Sequence, residues 1–177
     1  MNRHNTGMNN LKVKTMTLLL CSMILLLSAC ASTGAKIQTE EELLNYLSET
    51  YEQDTFLIKD SATQGNHKLV AFKDAEGKIG YALLEKVKGK TYSIVNTKTS
   101  GDTHLVSLYN GADGIQLLCI VNDGDAKKVV MHVDDKKQQS FELDKGSPAA
   151  YLFPIDYPKA QSLEFEFQNK AGKIVEK

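Results

Sequence analysis

Gly114-Ile115-Gln116-Leu117-Leu118-Cys119-Ile120-Val121-Asn122-Asp123-Gly124-Asp125 decides the fold. In an extended chain successive side chains point to opposite faces, so Ile115, Leu117, Cys119 and Val121 share one face while Leu118 and Ile120 fall on the other. A strand that is apolar on both faces has to be covered on both, which places it at the centre of a layered β structure. The cluster Asn122-Asp123-Gly124-Asp125 then ends it with turn residues.

Working outward, the chain from Thr55 onward repeats this grammar: short runs rich in Val, Ile, Leu, Phe and Tyr, separated by Gly, Asp and Asn clusters. The pattern predicts strands near 55 to 59, 67 to 73, 78 to 87, 90 to 97, 103 to 109, 114 to 121, 127 to 133, 138 to 143, 149 to 153, 162 to 168 and 173 to 176. The connections Asp74-Ala75-Glu76-Gly77, Asn122 to Asp125 and Asn169-Lys170-Ala171-Gly172 carry residues that tolerate the positive φ of hairpin turns, so antiparallel meanders are expected. In 162 to 168, Leu163, Phe165 and Phe167 alternate with Glu164, Glu166 and Gln168, the mark of a strand with one wet face. Upstream, Thr39-Glu40-Glu41-Glu42 is a capping box, and Leu43, Leu44, Leu47 and Tyr51 recur at helical spacing, which predicts one helix over 39 to 53. The expected fold is mainly β: a two-layer, antiparallel, β-sandwich-like domain with one N-terminal helix laid on a sheet.

The first thirty residues differ in kind. Met16 to Ala29 is almost wholly apolar, follows Arg3, Lys12 and Lys14, and no acidic residue precedes Cys30. This is the layout of a secretory signal peptide, with Met1 or Met8 as its start. A retained transmembrane helix needs roughly 20 apolar residues, and this run falls short. Its end, Leu27-Ser28-Ala29-Cys30, resembles the lipobox of bacterial lipoproteins. The resemblance implies that the Cys30 thiol receives a diacylglyceryl group and that cleavage falls in front of it. Small side chains at Ser28 and Ala29 suit a protease site, and only a thiol forms the thioether. The expected organisation is a signal peptide at 1 to 29, lipidated Cys30 with a short linker through residue 38, and a single domain at 39 to 177. The linker Ala31 to Gln38 would span about 26 Å fully stretched. Downstream, Leu69-Val70-Ala71-Phe72, the turn Asp74 to Gly77, Gly80 to Lys86 and Tyr92 resemble a hairpin of small exported Gram-positive proteins that carry no assigned activity, with Tyr92 where that pattern has Trp.

Removing Arg3, Lys12 and Lys14 from the 21 basic residues leaves 18 against 22 acidic ones, a formal charge of −4. That mild excess argues against nucleic acid or anionic lipid as a main partner, since both call for clustered Lys and Arg. Cys21 leaves with the signal and Cys30 takes the lipid, so Cys119 stands alone and the domain is held by its core without an internal disulfide.

Chemistry is sparse. His67, His104 and His132 occur singly, with no His-Glu-x-x-His or Cys-x-x-Cys, and no metal site or other cofactor is indicated. His67 and His104 open strands, where polar residues are ordinary, and His132 falls on the wetter face of its strand. Cys119 lies among Leu117, Leu118, Ile120 and Val121, the reverse of the electropositive setting that activates a thiol. Asn122 to Asp125 and Asp134-Asp135 have carboxylates in turns but lack the EF-hand order. Lys127, Lys128, Lys136 and Lys137 read as a basic corner or as solvated turn lysines. No catalytic residue is expected. The chain reads as a non-catalytic binding or interaction domain, anchored by the lipid on Cys30 at the extracytoplasmic face of the cell membrane of a Gram-positive cell, with a membrane-proximal protein or a small ligand as partner. Alternatives are an immunity-type lipoprotein against a peptide toxin, an enzyme whose site is assembled from scattered residues, and release of the octamer Ser22 to Ala29 as a pheromone.

Overall fold

The computed structural model describes residues 34 to 111, 114 to 134, 137 to 156 and 162 to 175, so Leu27, Ser28, Ala29 and Cys30 lie outside the described residues. In chain order the elements are β1 (Lys36–Ile37), α1 (Glu40–Tyr51), β2 (Phe56–Gln64), β3 (His67–Asp74), β4 (Ile79–Lys88), β5 (Thr91–Ser100), β6 (His104–Asn110), β7 (Gln116–Asn122), β8 (Lys128–Val133), β9 (Lys137–Glu142), β10 (Ala149–Pro154) and β11 (Leu163–Gln168). The domain is mainly β with one helix, and every strand pairing among the described residues is antiparallel.

The strands divide among three sheets, of order β1-β5-β4-β3-β2, β10-β7-β6 and β11-β8-β9. Side-chain alternation stacks them. On β3 and β4, Val70, Phe72, Ala82 and Leu84 face the helix residues Leu43 and Leu47. The intervening Leu69, Ala71, Tyr81 and Leu83 meet Leu117, Cys119 and Val121 of β7. The other face of β7, Leu118 and Ile120, packs with Val129, Met131, Phe141 and Phe167 of the third sheet. The layers therefore run helix, five-stranded sheet, middle sheet, third sheet, and the expected sandwich occurs twice with the middle sheet shared. The central position read for β7 is found: it lies between β10 and β6, and Leu117 through Val121 are all buried.

Thr39 is the N-cap of α1. Its hydroxyl accepts from Glu42 N at 3.2 Å, and the Glu42 carboxylate accepts from Thr39 N at 3.3 Å, which completes the capping box. The helix stops at Glu52, which adopts a left-handed conformation at φ 53°. Leu43 and Leu47 are buried while Asn45 and Glu49 are exposed, as the helical spacing predicts.

Three expectations change. The segment Ala31 to Gln38 reads as linker throughout, but Lys36 and Ile37 pair with Ser93 and Tyr92, and Ile94 N donates to Ala35 O at 3.0 Å. Two residues are too short to show alternation, so the sequence hides β1. Strand β2 runs on to Gln64, past the expected end at 59, because polar Asp60 to Gln64 pair with β3 along their whole length. Ile174 of the expected strand at 173 to 176 makes only an isolated bridge with Gln168.

A bulge in β2 joins the first two sheets. The register shifts between Ile58, opposite Phe72, and Asp60, opposite Ala71. One extra residue, Lys59, thus turns Asp60 to the face opposite Ile58. Asp60 Oδ2 there accepts from Ala150 N at 3.0 Å and from Lys145 Nζ at 2.9 Å, across to the edge strand of the middle sheet. Burial opposes the charge, but these hydrogen bonds outweigh it and hold the carboxyl below its usual value.

Among the described residues, every residue of the three buried cores lies between Ile37 and Phe167, so residues 34 to 177 contain these cores. That segment is expected to unfold cooperatively by itself. Leu118→Ala should cost about 2 to 5 kcal/mol in urea titration, because it opens a cavity in the shared layer. Leu57→Ala, at a side chain 56% exposed, should stay within about 0.5 kcal/mol.

Candidate functional site

The turn from β1 into α1 creates the cleft of interest. β1 lies on the edge of β5, and the chain then folds over the sheet's outer face, held by the capping box and by Gln38 N donating to the Glu42 carboxylate at 2.5 Å. Farther along, Leu43 and Leu47 close onto Val70, Phe72 and Ala82. Under the first turn closure is incomplete, because the sheet presents Lys68 and Ser61 there. A cavity of about 160 Å³ results.

Its floor is Ile58, Val70 and Leu84 of the sheet, with the Tyr92 ring at one side. The roof is Ile37 and Leu43, and Gln38, Thr39 and Glu40 form the rim on the helix side. An engineered apolar cavity of about 150 Å³ holds a benzene molecule, which sets the scale of a guest here. Five polar side chains, Gln38, Thr39, Glu40, Ser61 and Lys68, share the lining with the apolar and aromatic ones, so the cleft is mixed in character. Lys68 and Glu40 are the charged residues of the lining, and neither forms an ion pair among the described residues.

A second cavity, of about 100 Å³, lies beside His104 and is bounded by Lys98, Ser100, Asp102 and Phe167. His104 opens β6, as expected, and is buried there. Its ring stacks on Phe167, with centroids 4.5 Å apart, and Nδ1 lies 3.0 Å from Asn122 Oδ1. That amide oxygen can only accept, so the network assigns the proton to Nδ1. Asn122 Oδ1 also accepts from Gly124 N at 3.2 Å, and its Nδ2 donates to Ala126 O at 3.0 Å. The turn after β7 is therefore built around the Asn122 side chain. Gly124 is required for space rather than for positive φ, since a Cβ there would sit 2.5 Å from His104 Cε1. Burial lowers the His104 pKa, with the Asn122 hydrogen bond acting against it.

His67 is likewise buried. It shares the inward face of β3 with Leu69 and Ala71, its ring centroid is 5.1 Å from that of Tyr109, and neither ring nitrogen has a hydrogen-bond partner among the described residues. His132 is half-buried with Nε2 3.8 Å from Glu166 Oε2. Cys119 is 1% exposed, and burial pushes its thiol up to about 12, so it is an inert core residue. The turn carboxylates have local partners: Asp123 meets Lys73 Nζ at 2.5 Å, and Asp134 accepts from Ser162 N at 2.9 Å. Of the lysines read as a basic corner, Lys128 pairs with Glu142 at 3.4 Å, and Lys136, like Asp135, lies outside the described residues.

The structure does not gather the histidines and Cys119 into one constellation. The sequence does not single out the cleft residues, although it carries one signal. Lys68 falls in phase with Val70 and Phe72, a cation on a face that the helix covers. No family model, curated protein or solved structure matches this chain.

The His104 environment has a measurable consequence. Its pKa is lowered in the folded state, so the unfolded chain binds the proton first as pH falls. Its contribution to stability is therefore intact above the unfolded value of about 6.5 and declines below it. Melting temperatures taken between pH 7.5 and 5 should fall more steeply for the wild type than for His104→Gln. Equal slopes would show that this ring does not carry the effect.

Proposed function

We propose that this is a lipid-anchored protein of the extracytoplasmic membrane face, whose domain is a non-catalytic binding module with the cleft beneath the start of α1 as its site. The observation that carries this reading is the spacing between the lipobox cysteine and the first hydrogen-bonded residue among those described. Gly34 O already accepts from Ser93 Oγ at 3.3 Å. In sequence, Ala31, Ser32 and Thr33 separate Cys30 from that residue. Three residues reach about 10 Å, well under the span allowed by the longer linker. Two acyl chains give stable anchoring where one is marginal. The residues that follow the tether, Ile37 to Glu40, line the cleft itself. Anchor and site are thus close along the chain, which favours ligands or partners presented at the membrane surface.

Mass spectrometry of the N-terminal peptide of the protein isolated from membranes tests the anchor. Expected is a chain beginning at Cys30 with a diacylglyceryl mass on its thiol, and Cys30→Ala should accumulate as uncleaved precursor. An unmodified Cys30 or a retained segment ahead of it refutes the anchored reading.

A further inference from the structure

We infer that the cleft under the first turn of α1 binds a free α-amino acid with an apolar side chain. The proposal adds a ligand class to the cleft of the preceding reading but does not need the lipid anchor, so the two fail separately.

Three features of the lining converge on this class. Ile58, Val70, Leu84, Ile37 and Leu43 offer an apolar surface to a hydrocarbon group, with polar residues in the same lining. The volume of about 160 Å³ matches a group the size of a leucine or phenylalanine side chain, by comparison with the cavity of about 150 Å³ that takes benzene.

Charge supplies the third feature. One cation and one anion border the cleft, Lys68 on β3 and Glu40 at the start of α1. They do not neutralise each other, because no Lys–Glu contact within 4.0 Å joins them, and no other described residue forms an ion pair with either. The neighbouring acid Glu42 is already committed to the backbone N–H groups of Gln38 and Thr39. An apolar guest bearing a single charge would match one wall and leave the other solvated beside hydrocarbon. A zwitterion satisfies both: its carboxylate meets the Lys68 ammonium, its ammonium meets the Glu40 carboxylate, and its side chain lies on Val70 and Leu84. The Ser61 and Tyr92 hydroxyls stand in the same lining as further hydrogen-bonding groups.

The test is titration of residues 34 to 177, which contain all three cores, with L-leucine and L-phenylalanine, followed by amide chemical-shift mapping. A dissociation constant on the order of 0.1 to 1 mM is expected for a guest of this size. Shifts should centre on residues 37 to 43, 58 to 61, 68 to 70 and 84. Two leucine analogues separate the charges: 4-methylpentanoate lacks the ammonium and 3-methylbutylamine lacks the carboxylate. Both should bind at least about tenfold more weakly, the loss of roughly one charge-assisted contact. Lys68→Gln and Glu40→Gln remove no ion pair; the first should keep the wild-type melting temperature and the second, which gives up a first-turn acid of α1, should lower it by no more than a few degrees, while each weakens leucine several-fold. Absence of saturable shifts up to about 10 mM ligand overturns the proposal, as do shifts mapping elsewhere. Analogues that bind as well as leucine overturn it too, since the cleft would then select hydrocarbon alone.

Discussion

Five consecutive residues, Leu117 to Val121, have to leave water on both faces of one strand, and the rest of the domain is arranged to meet that demand. A single covering sheet would shield Leu117, Cys119 and Val121 but leave Leu118 and Ile120 wet. Each such side chain contributes about 1.5 to 3 kcal/mol when buried, so exposing either face would forfeit a large part of a typical stability. Two further sheets are the remedy, one against each face. The five-stranded sheet then has an uncovered outer surface of its own, and the amphipathic helix closes it. Layer count thus follows from where apolar faces remain uncovered.

Polar groups inside this stack are handled by a repeated local device. Asp74, Asn122 and Asn169 each begin a turn and accept backbone N–H groups from the residues just beyond: Glu76 and Lys78, Gly124, and Ala171 and Lys173. The turn is fixed by its own first side chain, which leaves the strands free to be apolar. Asn122 extends the device by also holding His104, so one buried amide orders both a turn and an imidazole. Tyr81, fully buried on the inner face, is satisfied by Asn96 Nδ2 at 3.1 Å.

Much of this is legible in the sequence because it rests on short-range regularities. The capping box at Thr39, the alternation in Leu163 to Gln168 and the doubly apolar run in β7 each announce their element within a few residues. What is not legible depends on register between distant segments. β1 acquires its identity only from β5, and the middle sheet's double role appears only when β7 and β10 are placed between two other layers. His67 and His104 look ordinary in sequence because a residue at a strand start gives no local sign of which way it faces. The cleft is a further case: it is a failure of the helix to meet the sheet, set by Ser61 on β2, Lys68 on β3 and Glu40 on α1.

The smallness of β1 gives the domain a mechanical character. Any pull on the chain ahead of Gly34 is borne first by a strand of two residues at the edge of the five-stranded sheet, while the interior strands are shielded behind it. Few backbone hydrogen bonds resist peeling there, and Ile37 is the one buried residue of that strand. Traction would therefore strip β1 before it loaded the cores, and in doing so it would lift Ile37 from the roof of the cleft. The fold has in effect a weak link at its N-terminal edge, where force along the chain that enters it would act on a single buried isoleucine.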